Sequence, residues 1–223
     1  MRNSKATAVL AVMVMVASSA AIFLTVSGGS PRFDARLHED IGRALAADAL
    51  KLLGPGGHIT VVTRDTGTFP QPAADLVLGS FTQAVRKDGR AVPTVQALQV
   101  DPLRPLQVPP GDLHELIRRG AAGDVIVSLM GPPWLSEEQR GSLGDIKPKL
   151  VAFSPGTVPE PAELRLLAEQ RLLHAAVISR PLIRNAAKPA NFGHESFDDL
   201  YVRASAADLA KLPTTGGQPG TER

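Results

Sequence analysis

A chain of 223 residues, 43% of them hydrophobic, has the length of one domain with appendages and enough apolar material for a sizeable core. Of its 24 Lys and Arg, Arg2 and Lys5 precede a long uncharged segment, and the remaining 22 balance 22 Asp and Glu, so a general nucleic-acid footprint is excluded. The absence of cysteine excludes disulfides, thiolate catalysis, cysteine-ligated zinc and an acyl anchor on cysteine, and 4% aromatic residues leave little for stacking bases.

From Ala6 to Pro31 no side chain ionises, and Leu10 to Val26 reads LAVMVMVASSAAIFLTV. A run of this length suits a transmembrane helix, which needs about 20 largely apolar residues to cross about 30 Å of hydrocarbon. Arg2 and Lys5 before it place the N-terminus in the cytoplasm and Arg32 onward on the far side. The expectation is a signal-anchor over residues 1–30, single-pass in the inner (cytoplasmic) membrane, with the C-terminal domain in the periplasm or outside the cell. The competing reading is a signal peptide cut after Ser18-Ser19-Ala20, which would leave the apolar Ala21 to Val26 as a new terminus. Gly28, Gly29 and Pro31 then form a hinge.

Phe33, Leu37, Ile41, Leu45, Ala49 and Leu52 recur at helical spacing, and Gly54-Pro55-Gly56-Gly57 ends that helix. Ile59 to Thr63 is a β-branched run with the continuous apolar character of a strand covered on both faces. After a turn over Arg64 to Phe69, a helix follows with Ala74, Val77, Leu78, Phe81 and Val85 on one side, ending in Arg86, Lys87 and a capping Gly89. Thr94 to Val100 is the next strand, Asp101 to Pro110 a proline-rich loop, and Asp112 to Gly120 a short helix burying Leu113, Leu116 and Ile117. Asp124 to Met130 is a strand, and Ser136 with Gln139 forms a capping box that starts a helix at Glu137. Leu150 to Phe153, a helix over Pro161 to Arg171, and a fifth strand over Leu173 to Ser179 complete residues 31–180. Such alternation implies parallel pairing through right-handed crossovers, hence a three-layer α/β sandwich with a five-stranded, mostly parallel sheet. Residues 181–213 form an extension with an edge strand over Leu200 to Ala204 and a helical turn over Ala206 to Leu212 capped by Ser205. Residues 214–223 have the composition of a disordered tail.

In an open parallel sheet, ligands bind beyond the carboxyl ends of the strands, where neighbouring connections leave to opposite faces. Four loops qualify: residues 64–69 with Arg64, Asp65, Thr66 and Thr68; residues 131–134 with Trp134; the loop opened by Ser154; and the one opened by Arg180. With a 2-1-3-4-5 strand order, the first two flank the switch point and offer one cation, one carboxylate, two hydroxyls and the single tryptophan to a small polar ligand. The plainer alternative makes Arg64 and Asp65 solvated loop residues and Trp134 a cap on the sheet edge. No catalytic, cofactor or metal site is expected. The glycines at 54–57 follow a helix and precede a strand, the reverse of a phosphate loop. His38, His58, His114, His174 and His194 lack second ligands at metal spacing, and no Gly-x-Ser-x-Gly elbow is present.

The run Asp124-Val125-Ile126-Val127-Ser128-Leu129-Met130-Gly131-Pro132, with Ile59-Thr60-Val61-Val62-Thr63 and the helix from Ala73 to Lys87, resembles one lobe of the type 1 periplasmic-binding-protein-like fold over roughly residues 34–180. That resemblance implies a non-enzymatic solute-binding or sensing module. The family builds its site between two lobes and this chain has length for one, so the other wall would come from a second copy or another protein. The alternative is an envelope scaffolding domain with a protein partner or a homo-oligomeric surface, and an anchored extracytoplasmic enzyme ranks third.

Overall fold

The computed structural model describes Ser18 and residues 34–67, 70–100, 108–144, 147–156, 159–180 and 196–213. The apolar N-terminal segment, the glycine hinge, most of the proline-rich loop, Thr68 and the tail from residue 214 lie outside the described residues. No helix among the described residues is long and apolar enough to cross a membrane.

The elements run α1 (Ala35–Leu52), β1 (Ile59–Arg64), α2 (Pro72–Asp88), β2 (Thr94–Leu98), α3 (Pro110–Arg119), β3 (Val125–Ser128), α4 (Glu137–Ser142), β4 (Lys149–Ser154), α5 (Pro161–Glu169), β5 (Ala175–Ser179), α6 (Phe197–Leu200), β6 (Tyr201–Ser205) and α7 (Ala206–Leu209). The sheet has six strands in the order β2-β1-β3-β4-β5-β6. The first five pair parallel, as the alternation implies, and β6 adds an antiparallel sixth strand against β5. The five strands expected within residues 31–180 are present, and the edge strand expected at Leu200 to Ala204 joins the same sheet, so the five-stranded count becomes six. The cause is local: Ser196 and Asp199 box the start of α6, and the chain turns straight from that helix into β6.

Side-chain alternation along each strand splits the core in two. Ile59, Val61, Val125, Val127, Val151 and Val177 pack beneath α1 and α2 through Ile41, Leu45, Val77 and Phe81. Val62, Ile126, Leu150, Ala152, Ala176 and Ile178 pack on the other face against Leu113 and Ile117 of α3, Leu164 of α5 and Leu209 of α7. Both faces of the central strands are covered, which is why their sequences read as unbroken apolar runs. Each fully buried aliphatic side chain contributes roughly 1.5–3 kcal/mol.

Helix ends follow their local chemistry. Gly89 closes α2 in the left-handed conformation at φ 80°, its N–H reaching the Val85 carbonyl. Ser136 and Gln139 form the reciprocal box at α4, and Ser205 with Asp208 does the same at α7. The glycine cluster before β1 serves backbone contact. Gly54 N–H donates to the Gly123 carbonyl at 2.9 Å, and a Cβ on Gly57 would lie 2.1 Å from that oxygen.

Several boundaries differ from the sequence expectation. Asp124 stands outside β3 because its carboxylate accepts the backbone N–H groups of His58 and Ala121, each at 2.8 Å. Burial disfavours its charge, but those two donors and the nearby His58 ring outweigh burial and hold it below the usual carboxylate range. β2 ends at Leu98 rather than Val100, and α5 ends at Glu169, with Arg171 in the left-handed region at φ 55°.

Candidate functional site

A right-handed crossover that moves one way along a sheet must lie on the opposite face from one that moves the other way. From β1 the chain moves outward to β2 through α2, on the α1 face; from β3 it moves through β4 to β5, with α5 on the other face. The two connections part between β1 and β3, which are hydrogen-bonded neighbours in the register Ile59↔Val125 to Val62↔Ser128. The carboxyl ends of these two strands therefore mark the topological switch point at the centre of the sheet, the place where ligands bind in open parallel sheets.

Arg64 is the last residue of β1, half-buried, and by alternation lies on the side of Val62, away from α1 and α2. Its side chain makes no hydrogen bond or ion pair to the described residues. Across the switch point, Leu129 N–H donates to the Val62 carbonyl at 2.9 Å, and the chain then leaves through Gly131 at φ 98° and two prolines to Trp134. Trp134 is 38% exposed, which is high for an indole in a folded domain. Arg64 thus ends one strand and Trp134 lies in the loop after its neighbour, one a cation and the other an aromatic face.

Asp65 and Thr66 are engaged in building their own loop. The Asp65 carboxylate accepts the Gly67 N–H at 2.9 Å, an Asx turn, while its own N–H extends the β1–β2 ladder to the Leu98 carbonyl at 2.8 Å. The Thr66 hydroxyl donates to Asp75 in the first turn of α2 at 3.0 Å. Both side chains set the rim's shape. Ser154 is buried at the end of β4. Arg180 follows β5 and donates through Nε to the Asp198 carbonyl, tying the β5 exit to α6. All six described candidates stand at the carboxyl end of the sheet, with Arg64, Asp65, Thr66 and Trp134 at the switch point and Ser154 and Arg180 further along the rim.

Three features escape the sequence reading. Besides the expected Ser154 of β4, strands β3 and β5 also end in a buried serine, Ser128 and Ser179, and Thr63 occupies the penultimate position of β1. Ser128 Oγ accepts the Met130 N–H at 3.3 Å and Ser179 Oγ donates to the Gly156 carbonyl at 2.7 Å, so these hydroxyls satisfy the chain as it leaves the sheet. The signal was present as the repeated endings VVT, VIVS, VAFS and AVIS. Further along the rim, Tyr201 stacks obliquely between Phe153 and Phe197, with ring centres 5.6 and 6.0 Å away, and burial pushes its phenol above the ordinary range. On the face beyond α3, His114 Nε2 lies 2.8 Å from Ser142 Oγ, whose hydroxyl also reaches the Gln139 carbonyl at 2.8 Å.

No protein-family model matches the chain, and no curated protein matches it. Among solved structures, it is similar to AraP, an arabinose-binding protein from Geobacillus stearothermophilus, at 14% identity and TM-score 0.48 over 79% of this chain and 63% of that one. It is similar also to GanP, a glucose-galactose binding protein from the same organism, at 15% identity and TM-score 0.43 over 78% of this chain and 61% of that one. A third is an ABC transporter solute-binding protein from Burkholderia graminis in complex with D-arabinose, at 16% identity and TM-score 0.43 over 66% of this chain and 48% of that one. The chain spans about half to somewhat under two thirds of these proteins.

Proposed function

We propose that this chain is a membrane-anchored, extracytoplasmic module that binds a small polar solute at the β1/β3 switch point and catalyses no reaction. One observation supports it above the others: Arg64 and Trp134 lie at the exits of the adjacent strands β1 and β3, neither side chain being spent on a hydrogen bond within the described fold. A guanidinium pairs a carboxylate or phosphate in two-pronged fashion, and an indole face covers an apolar or sugar surface. Asp65 and Thr66 support the rim.

The test is a thermal-shift screen of the full chain against carboxylates, phosphate esters, amino acids and sugars. A solute at about 100 times its dissociation constant adds about 2.7 kcal/mol to stability. Arg64→Ala and Trp134→Ala should each weaken the best hit about tenfold while leaving unliganded stability within about 0.5 kcal/mol of the parent. A screen without hits, or hits that bind both variants as tightly as the parent, would transfer the reading to a scaffolding domain.

The anchor is proposed on the uncharged span from Ala6 to Pro31 and the basic residues before it. The intact mass of protein recovered from the membrane fraction should include residues 1–30. A mature N-terminus near Ala21 would replace the anchor with a cleaved leader.

A further inference from the structure

The two edges of the sheet are treated differently. At the β6 edge, Arg203 places a charge on the strand and pairs with Asp48 of α1. At the β2 edge, the strand TVQAL carries no charge and no proline, and Val92 and Val95 are 72% and 43% exposed. An uncharged edge strand offers a row of backbone donors and acceptors to another strand, which folded proteins ordinarily block with charge, proline or a bulge.

Above this edge α2 leaves a groove of about 490 Å³, with Val95 on its strand side and one stripe of the helix on the other. The stripe is Asp75, Leu78, Gly79, Thr82, Gln83 and Arg86. It has internal order. Asp75 and Arg86 are its two ends, Leu78 and Gln83 the next pair inward, and Gly79 and Thr82 the middle. A twofold axis through that middle would set Asp75 of one copy against Arg86 of another at both ends, with small residues where two helices must approach closely. A Cβ on Gly79 would meet nothing within 4 Å, so the middle of the stripe is open.

We infer that the β2 edge with the outer stripe of α2 is a self-association surface that takes a second copy of this chain. The two β2 strands pair antiparallel about an axis at Gln96, the sheet continues across the interface, and the two α2 helices lie antiparallel on one face of it. Isologous contact of this kind closes at two copies, because each edge is used once. Val95 is covered, and the end-to-end pairing of Asp75 with Arg86 sets the register. Association needs no solute at the switch point, although Asp75 also accepts the Thr66 hydroxyl of its rim at 3.0 Å.

The experiment uses the full chain in detergent, followed by sedimentation equilibrium. The parent should be a reversible dimer. Asp75→Arg and Arg86→Asp, each of which places like charges at both ends of the interface, should raise the dimer dissociation constant about tenfold or more, and the double swap should restore it. Circular dichroism confirms that each variant is folded, and recovery in the double variant separates charge pairing from damage to α2. The chain has no cysteine, so Gln96→Cys has only its symmetry mate to oxidise with. Directly opposed residues of antiparallel strands bring Cα atoms about 4.5–5.5 Å apart, within disulfide reach, whereas Glu137→Cys on the distant α4 should not cross-link. A monomer at all concentrations overturns the inference. So does a dimer indifferent to the charge swaps, or one in which Gln96→Cys fails to cross-link, since either would place the contact elsewhere, such as in the apolar N-terminal segment.

Discussion

Gly42→Ala should lower the unfolding free energy by about 2–3 kcal/mol, and Gly42→Val by more, measured by urea denaturation. Ordinarily the alanine change inside a helix gains about 1 kcal/mol, because glycine loses more backbone freedom on folding. Here geometry reverses the sign. Gly42 lies in α1 where it crosses α2, and a Cβ there would sit 2.0 Å from Ser80 Oγ, 2.4 Å from the Val77 carbonyl oxygen and 2.9 Å from the Phe81 nitrogen. Ser80 can rotate only by giving up its hydrogen bond to the Val77 carbonyl at 3.1 Å, and the two backbone atoms cannot rotate at all. The helices must separate, which lifts Phe81 and Val77 from the contact they make with Ile41 and Leu45. Gly141→Ala on α4, where a Cβ meets nothing within 4 Å, is the control and should gain about 0.5–1 kcal/mol. Equal small gains at both positions would show that α1 and α2 are not in close contact at Gly42.

That crossing illustrates what a sequence displays and what it withholds. The apolar period of α1 is legible as Leu37, Ile41, Leu45 and Ala49, but the buried face is wider and includes Gly42, Ala46 and Asp48. A helix packed against both a sheet and a neighbouring helix buries more than one stripe, and hydropathy gives a glycine or an aspartate no core weight. Asp48 is buried because Arg203, 155 residues later on β6, donates to it, and nothing local to either residue announces the other. Parallel order and the switch point were legible because both follow from alternation and handedness rather than from any single residue. Arg64 and Trp134 followed from that placement. The use of Asp65 and Thr66 within the rim did not, since an Asx turn and a bond to Asp75 depend on how the loop folds back on α2.

Acidification from pH 7 to pH 4 should remove about 2 kcal/mol of stability through His174, and His174→Asn should abolish most of that loss. His174 precedes β5, and its Nδ1 accepts the Leu150 N–H at 3.1 Å, a role open only to an unprotonated nitrogen. Burial first, and then the cations Lys149, Lys147 and Arg171, push its pKa from 6.5 down to about 4. The unfolded chain therefore binds a proton that the folded chain refuses across this window. Stability is full above pH 6.5, falls as the pH drops through the window, and levels off below about 4. At about 1.36 kcal/mol per pH unit the ceiling is about 3.4 kcal/mol, and partial exposure of the ring reduces it to about 2. Glu115, held at about 2 by Arg118 and Arg119, adds to acid sensitivity only as the pH falls below about 4.5. Asparagine keeps an acceptor for the Leu150 N–H and carries no proton, so the variant should retain the fold at pH 7 and lose the slope between pH 6.5 and 4. His174→Ala removes the acceptor as well, leaves a buried N–H unpaired at a cost of about 1–3 kcal/mol, and should be weaker at every pH. Denaturation midpoints at half-unit pH intervals distinguish the three proteins. An unchanged slope in His174→Asn would show that the proton uptake belongs to another group.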